Sequence, residues 1–214
     1  MAVFPNTGDR SMSLLTRRIA LLGAVCSVSG CSAISSLNTA AKPLDTYDLR
    51  PVSGSQAGGR KSRTLLVAQP QATAALATDR IMIKPDPASI TYLPDARWSD
   101  ELPAVVQSLL IRSISQTGRI AYVGRSDAGP IPDKALLVRI DAFEVGILAD
   151  GRFEVQVGLD LTIISDGDQR VVATRRFSQS SVVSSDDPKL IVAAFQTVLN
   201  DLLPNMSNWA IQRV

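Results

Sequence analysis

The sequence predicts an α/β fold: one domain in which a mixed, largely antiparallel sheet packs against two main helices. Three observations carry this. Phe153–Ile163 has an apolar residue at every odd position and a polar residue or glycine at every even one, the period of a strand with one face on a core. Two stretches, beginning near Leu102 and Asp187, instead keep apolar residues three and four apart, the period of an amphipathic helix. The apolar run before Cys31 stands apart from all of these and reads as a leader.

The leader comes first. Arg17 and Arg18 precede Ile19-Ala20-Leu21-Leu22-Gly23-Ala24-Val25, and small residues then lead to Cys31. A positive segment, an apolar core of about 7–15 residues and a small-residue exit describe an export signal. The run is short of the roughly 20 apolar residues a membrane span needs. Val28-Ser29-Gly30-Cys31 resembles a bacterial lipobox, which implies a diacylglyceryl thioether on Cys31, cleavage before it and an acylated amino terminus. Two or more acyl chains anchor a protein stably where one does not. Thr16-Arg17-Arg18 resembles a twin-arginine signal, but Ala20 stands where an aromatic residue or leucine is usual, and the general secretory route is favoured. Met12 is a second candidate start. The chain thus divides into a lipoprotein signal peptide (1–30), a lipidated tether of small and polar residues (31–43) and a folded domain (44–214).

Within the domain, Thr46–Arg50 alternates as a strand and stops at Pro51. A Gly/Ser loop with Arg60 and Lys61 (Val52–Ser62) reads as a solvated hairpin connection to the buried strand Thr64–Ala68. Arg80–Lys84 and Ile90–Leu93 flank Pro85-Asp86-Pro87 as two strands around a turn. A helix is expected to start at Ser99, with Asp100 and Glu101 in its first turn, and to stop at Gly118. Ile120–Val123 leaves it as a strand, so part of the sheet is expected to be parallel. Leu136–Val145, Phe153–Ile163 and Val171–Ser178 form a meander across turns at Asp150-Gly151 and Asp166-Gly167-Asp168, the latter read as a hairpin turn and not a calcium loop. Asp187 caps the last helix and Pro188 opens it. Ile191, Ala194, Phe195, Val198 and Leu202 form its core stripe, Pro204-Asn205 is expected to end it, and Trp209 and Ile211 then lie in a tail.

Composition narrows the chemistry. The chain has 22 basic and 20 acidic residues, and the leader removes Arg10, Arg17, Arg18 and Asp9, which leaves 19 of each. A neutral domain lacks the electrostatic footprint of a nucleic-acid binder. There is no histidine, and both cysteines, Cys26 and Cys31, belong to the leader and its lipidation site. Catalytic triads and histidine- or cysteine-based metal sites are therefore not expected, and no cofactor or metal is assigned. Walker A, GxGxxG and GxSxG patterns are absent. Asp141, Glu144, Glu154 and Asp160 are candidate carboxylates for a hydrolase, but they fall where alternation puts the wet face of a sheet. Tyr92, Trp98, Tyr122 and Phe143 are candidates for an apolar or partner-binding surface, read more readily as packing residues.

Taken in order, several short motifs resemble the auxiliary lipoproteins of ABC-type transport systems that accompany MCE-type lipid transporters of the bacterial envelope. They are Tyr47-Asp48-Leu49 soon after Cys31, Leu65-Leu66-Val67, Asp79-Arg80-Ile81, Tyr92 before Arg97-Trp98, the helix near Leu102 and the meander around Phe143 and Phe153. The resemblance spans about Cys31 to Trp209. It implies an α/β domain, no catalysis, and a lipid-anchored accessory that faces the periplasm and helps move phospholipid or similar apolar molecules. It implies contact with an MCE-domain protein and, through it, with a permease and ATPase. An outer-membrane lipoprotein that chaperones a β-barrel is the alternative. Ser32 follows Cys31 where an aspartate would retain enterobacterial lipoproteins at the inner membrane, so the outer membrane is favoured. The sequence leaves direct phospholipid contact and homo-oligomerisation open.

Overall fold

Long β6 (Lys134–Ile147) is the spine of the domain in a computed structural model that describes residues 43–125 and 129–214. The signal peptide, Cys31 and the tether as far as Lys42 lie outside the described residues. Leu44–Val214 forms one compact unit. The other elements are β1 (Asp45–Tyr47), β2 (Lys61–Val67), β3 (Arg80–Lys84), β4 (Thr91–Trp98), α1 (Leu102–Ser115), β5 (Ile120–Arg125), β7 (Phe153–Ser165), β8 (Val171–Val183) and α2 (Pro188–Arg213). One edge of β6 takes β2 along its first residues and β3 along its last, while its other edge pairs with β7 along the whole length.

The sheet is mixed and is not largely antiparallel. β1 with β4, β2 with β5, β2 with β6 and β3 with β6 run parallel. β3 with β4 and the β6–β7–β8 meander run antiparallel. The difference comes from the first segments. The loop Val52–Ser62 makes no hairpin between β1 and β2, because β1 lies against the far end of β4. It runs instead across α2: the Ser55 amide donates to Asn208 Oδ1 at 2.7 Å, and a Cβ on Gly54 would meet that oxygen at 2.6 Å. Glycine at position 54 leaves room for the Asn208 side chain in this place.

β4 continues past Leu93, where sequence reading stops it. The register slips between Arg80 and Met82, and the extra residues include Pro94 and Asp95, the latter at φ 56. A bulge is where a strand inside a sheet accommodates proline. The strand then resumes and carries Trp98 into the core.

α1 starts later than Ser99. Ser99 Oγ donates to Asp48 Oδ1 at 3.1 Å, and the first helical amide, that of Leu102, finds the Thr78 carbonyl at 3.0 Å. Asp100 and Glu101 precede the helix. α2 has the expected Asp187 cap, whose carboxylate accepts from the Lys189 amide at 2.7 Å. It does not end at Pro204. Proline removes one helical bond and costs about 3 kcal/mol. Continuing the helix buries Met206, Trp209 and Ile211, each contributing roughly 1.5–3 kcal/mol, so continuation wins.

Candidate functional site

The β6–β8 meander positions all four candidate carboxylates: Asp141 and Glu144 on β6, Glu154 and Asp160 on β7. β6 carries apolar residues at even positions (Leu136, Val138, Ile140) and then at odd ones (Phe143, Val145), all buried. β7 keeps a single phase, Val155 to Ile163. The two strands reconcile through an extra residue at Asp141, where the register slips between Ile140 and Ala142. Outside this bulge, Arg139 stands opposite Asp160, and Asp160 opposite Arg176. The result is a row of alternating charge across three strands.

Arg139 Nε donates to Asp141 at 2.7 Å, and its Nη2 lies 3.4 Å from Asp160. Arg176 reaches Asp141 at 3.6 Å. The hydrogen bond from Arg139 holds the Asp141 carboxyl below the usual carboxylate range, and the same contact raises Arg139. A general acid or base needs its pKa moved toward neutrality; Asp141 moves the other way. Glu154 accepts from Ser180 Oγ at 2.8 Å. Glu144 departs from the wet-face expectation: it is 8% exposed and sits 2.9 Å from Lys84 Nζ. It shares its face with the cross-strand neighbours Met82 and Tyr92, a face closed where Tyr92 Oη donates to the Ala75 carbonyl at 3.2 Å. Among the described residues, no group of three or more Asp, Glu, Cys or His side chains is placed to hold a metal.

The four aromatic candidates separate. Trp98 and Phe143 meet edge to face at 5.8 Å, and Phe195 of α2 completes the cluster, 5.3 Å from Trp98 and stacked 4.8 Å from Phe143. All three are buried and join sheet to helix. Tyr92 lies on the opposite face of the sheet, with the Arg80 guanidinium 5.8 Å from its ring. Tyr122, on β5, is 38% exposed and packs over Gly124 and Gly129. The four thus occupy three separate places: the core, the opposite face of the sheet, and β5. A cleft of about 230 Å³ lies beside the charged row, lined by Gln69, Gln71, Leu137, Arg139, Asp160 and Thr162. That is below the usual range for a small-molecule pocket, about 300–1,000 Å³.

Sequence reasoning missed Arg139, Arg176 and Lys84. Counting register outward from the Asp150-Gly151 and Asp166–Asp168 turns would misplace the first two by one residue, because a bulge lies between each turn and the charged row.

The chain belongs to the family of ABC-type transport auxiliary lipoprotein components, whose model matches residues 47–207. Proteins of this family are envelope lipoproteins, associated with a membrane. The chain is 31% identical over 175 residues to protein bll6063 of Bradyrhizobium diazoefficiens, covering 79% of this chain. It spans 45% of that relative's length. Its fold is similar to that of protein XCC0632 from Xanthomonas campestris, with 26% identity, a TM-score of 0.72, and coverage of 79% of this chain and 96% of that one. CT253 from Chlamydia trachomatis shares the fold at 7% identity, with a TM-score of 0.50 over 72% of this chain and 98% of that one. Among the described residues, no helix is long and apolar enough to cross a membrane.

Proposed function

We propose that this chain is a non-catalytic, lipid-anchored accessory of an ABC/MCE-type transport system that moves phospholipid or similar apolar molecules across the envelope, and that it acts by binding the MCE-domain component. The family match over residues 47–207 is the observation that carries this reading. The geometry supports it: the carboxylates best placed for hydrolysis are tied up with arginine, lysine or serine. In this reading Cys31 carries the lipid, the domain faces the periplasm, and the outer membrane is its site. The permease and ATPase are reached through the MCE protein.

Affinity purification of the tagged full chain from detergent-solubilised envelopes tests it. The expected result is co-purification of an MCE-domain protein with a permease and ATPase, from cells in which the chain fractionates with the outer membrane. Recovery of an outer-membrane β-barrel in their place would overturn it.

A further inference from the structure

Four exposed apolar side chains gather at the end of the domain toward which the chain leads back to Cys31. β1 runs parallel to β4 with Asp45 beside Ala96, so Leu44 and Pro43 run back along β4 toward its start. The start of β4 lies beside the end of β3, and the end of β3 beside that of β6. The hairpin from Ile147 to Phe153 and the last residue of β8, Val183, complete this rim. Leu190, in the first turn of α2, closes a groove of about 330 Å³ with Arg152, Val182 and Val183. Arg50 and Gln196 exchange two hydrogen bonds, at 2.8 and 3.1 Å, which keep the segment after β1 alongside α2. Ile90, Ile147, Val182 and Leu190 are 42 to 50% exposed here.

We propose that this rim docks on the membrane leaflet that holds the Cys31 lipid, with Ile147, Val182 and Leu190 set into the boundary between headgroups and acyl chains. The proposal rests on the lipidation of Cys31. Chain length argues for this occupant. Twelve residues, Ser32 to Pro43, separate the cysteine from the domain. Covalent geometry limits them to about 43 Å, and a domain the length of Leu44–Val214 is itself about 40 Å across. The domain therefore stays within roughly its own width of the leaflet, and the rim toward which the chain leads is always in reach of lipid.

Charge argues for an apolar contact over an electrostatic one. Arg152 is paired with Asp150 at 2.7 Å and Lys84 with Glu144 at 2.9 Å. Asp86, Asp186 and Asp187 add negative charge at the same end. Such a rim does not attract anionic headgroups, which need a surplus of Lys or Arg. Insertion of apolar side chains into the interface is what would hold it.

The mature lipidated chain in vesicles of phosphatidylethanolamine and phosphatidylglycerol tests this. Cys31 is acylated and Cys26 leaves with the signal, so a cysteine added at either end of β8, Val182→Cys or Val171→Cys, alone takes a fluorescent label. Spin-labelled lipid should quench the Val182 label at least threefold more than the Val171 label. Raising the phosphatidylglycerol share should not increase that quenching, and an increase would overturn the apolar contact. Leu190→Gln combined with Ile147→Gln should shift the docked-to-free ratio about tenfold toward free. Leu137→Gln, similarly exposed in the first half of β6, should leave it unchanged. Circular dichroism checks that the variants keep the fold, and intact mass reads acylation of Cys31 in the same preparation. In an acylated chain, equal quenching of the two labels would overturn the docking and leave the anchor standing. So would a Val182 label shielded by protein from both the lipid quencher and aqueous iodide. A chain without acyl groups would overturn both.

Discussion

Lys61 ends the loop whose basic residues the sequence left without a role. Its ammonium donates to the Ile211 carbonyl at 2.8 Å, on the last turn of α2, where unpaired carbonyls and the helix dipole both favour a cation. Lys61→Met keeps the aliphatic stem and removes the donor. It should lower stability by about 1 kcal/mol, seen as a lower urea midpoint with an unchanged slope. Asp141 gives a pH-dependent prediction. Its carboxyl is held below the ordinary value by Arg139, so the pair contributes fully above the unfolded pKa of about 3.9, and the contribution is lost as pH falls through the folded value. Asp141→Asn should therefore flatten the acid limb of a stability–pH curve while leaving its shape near neutrality unchanged. Equal acid sensitivity of the two proteins would contradict this. At this scale the sequence marks chemistry but not orientation. Trp98 and Phe143 are picked out as aromatic, yet a bulge in β4 and another in β6 send them inward to Phe195.

Pro204 shows what the element scale conceals. Proline inside a helical pattern is a sound stop signal, but the apolar stripe resumes beyond it at Met206, Trp209 and Ile211. Burial outweighs the lost bond. Pro204→Ala should restore that bond and raise stability by about 1–3 kcal/mol. Thermal and urea unfolding should agree on the sign, and a destabilised variant would mean that the helix bends there by necessity. The meander and the Asp187 cap were legible because each depends on residues within one hairpin or one turn. The bulge at Asp141 was also written in the chain, as the change from even to odd apolar positions between Ile140 and Phe143.

Strand partnership belongs to the whole molecule, and here local pattern had little to offer. β1 finds β4 about fifty residues away, and β3 lies parallel to the end of β6 across all of α1 and β5. Nothing in the period of a strand names such a partner. The same scale decides function. The domain presents ion-paired charge on its sheet and a packed aromatic core between sheet and helix. Family membership supplies the transport context. The most direct test is binding between purified partners: the full chain in detergent micelles against its cognate MCE-domain protein, followed by native mass spectrometry and titration calorimetry. A saturable complex of fixed stoichiometry is predicted, and heat-free mixing with two unassociated species at micromolar concentration would contradict the account.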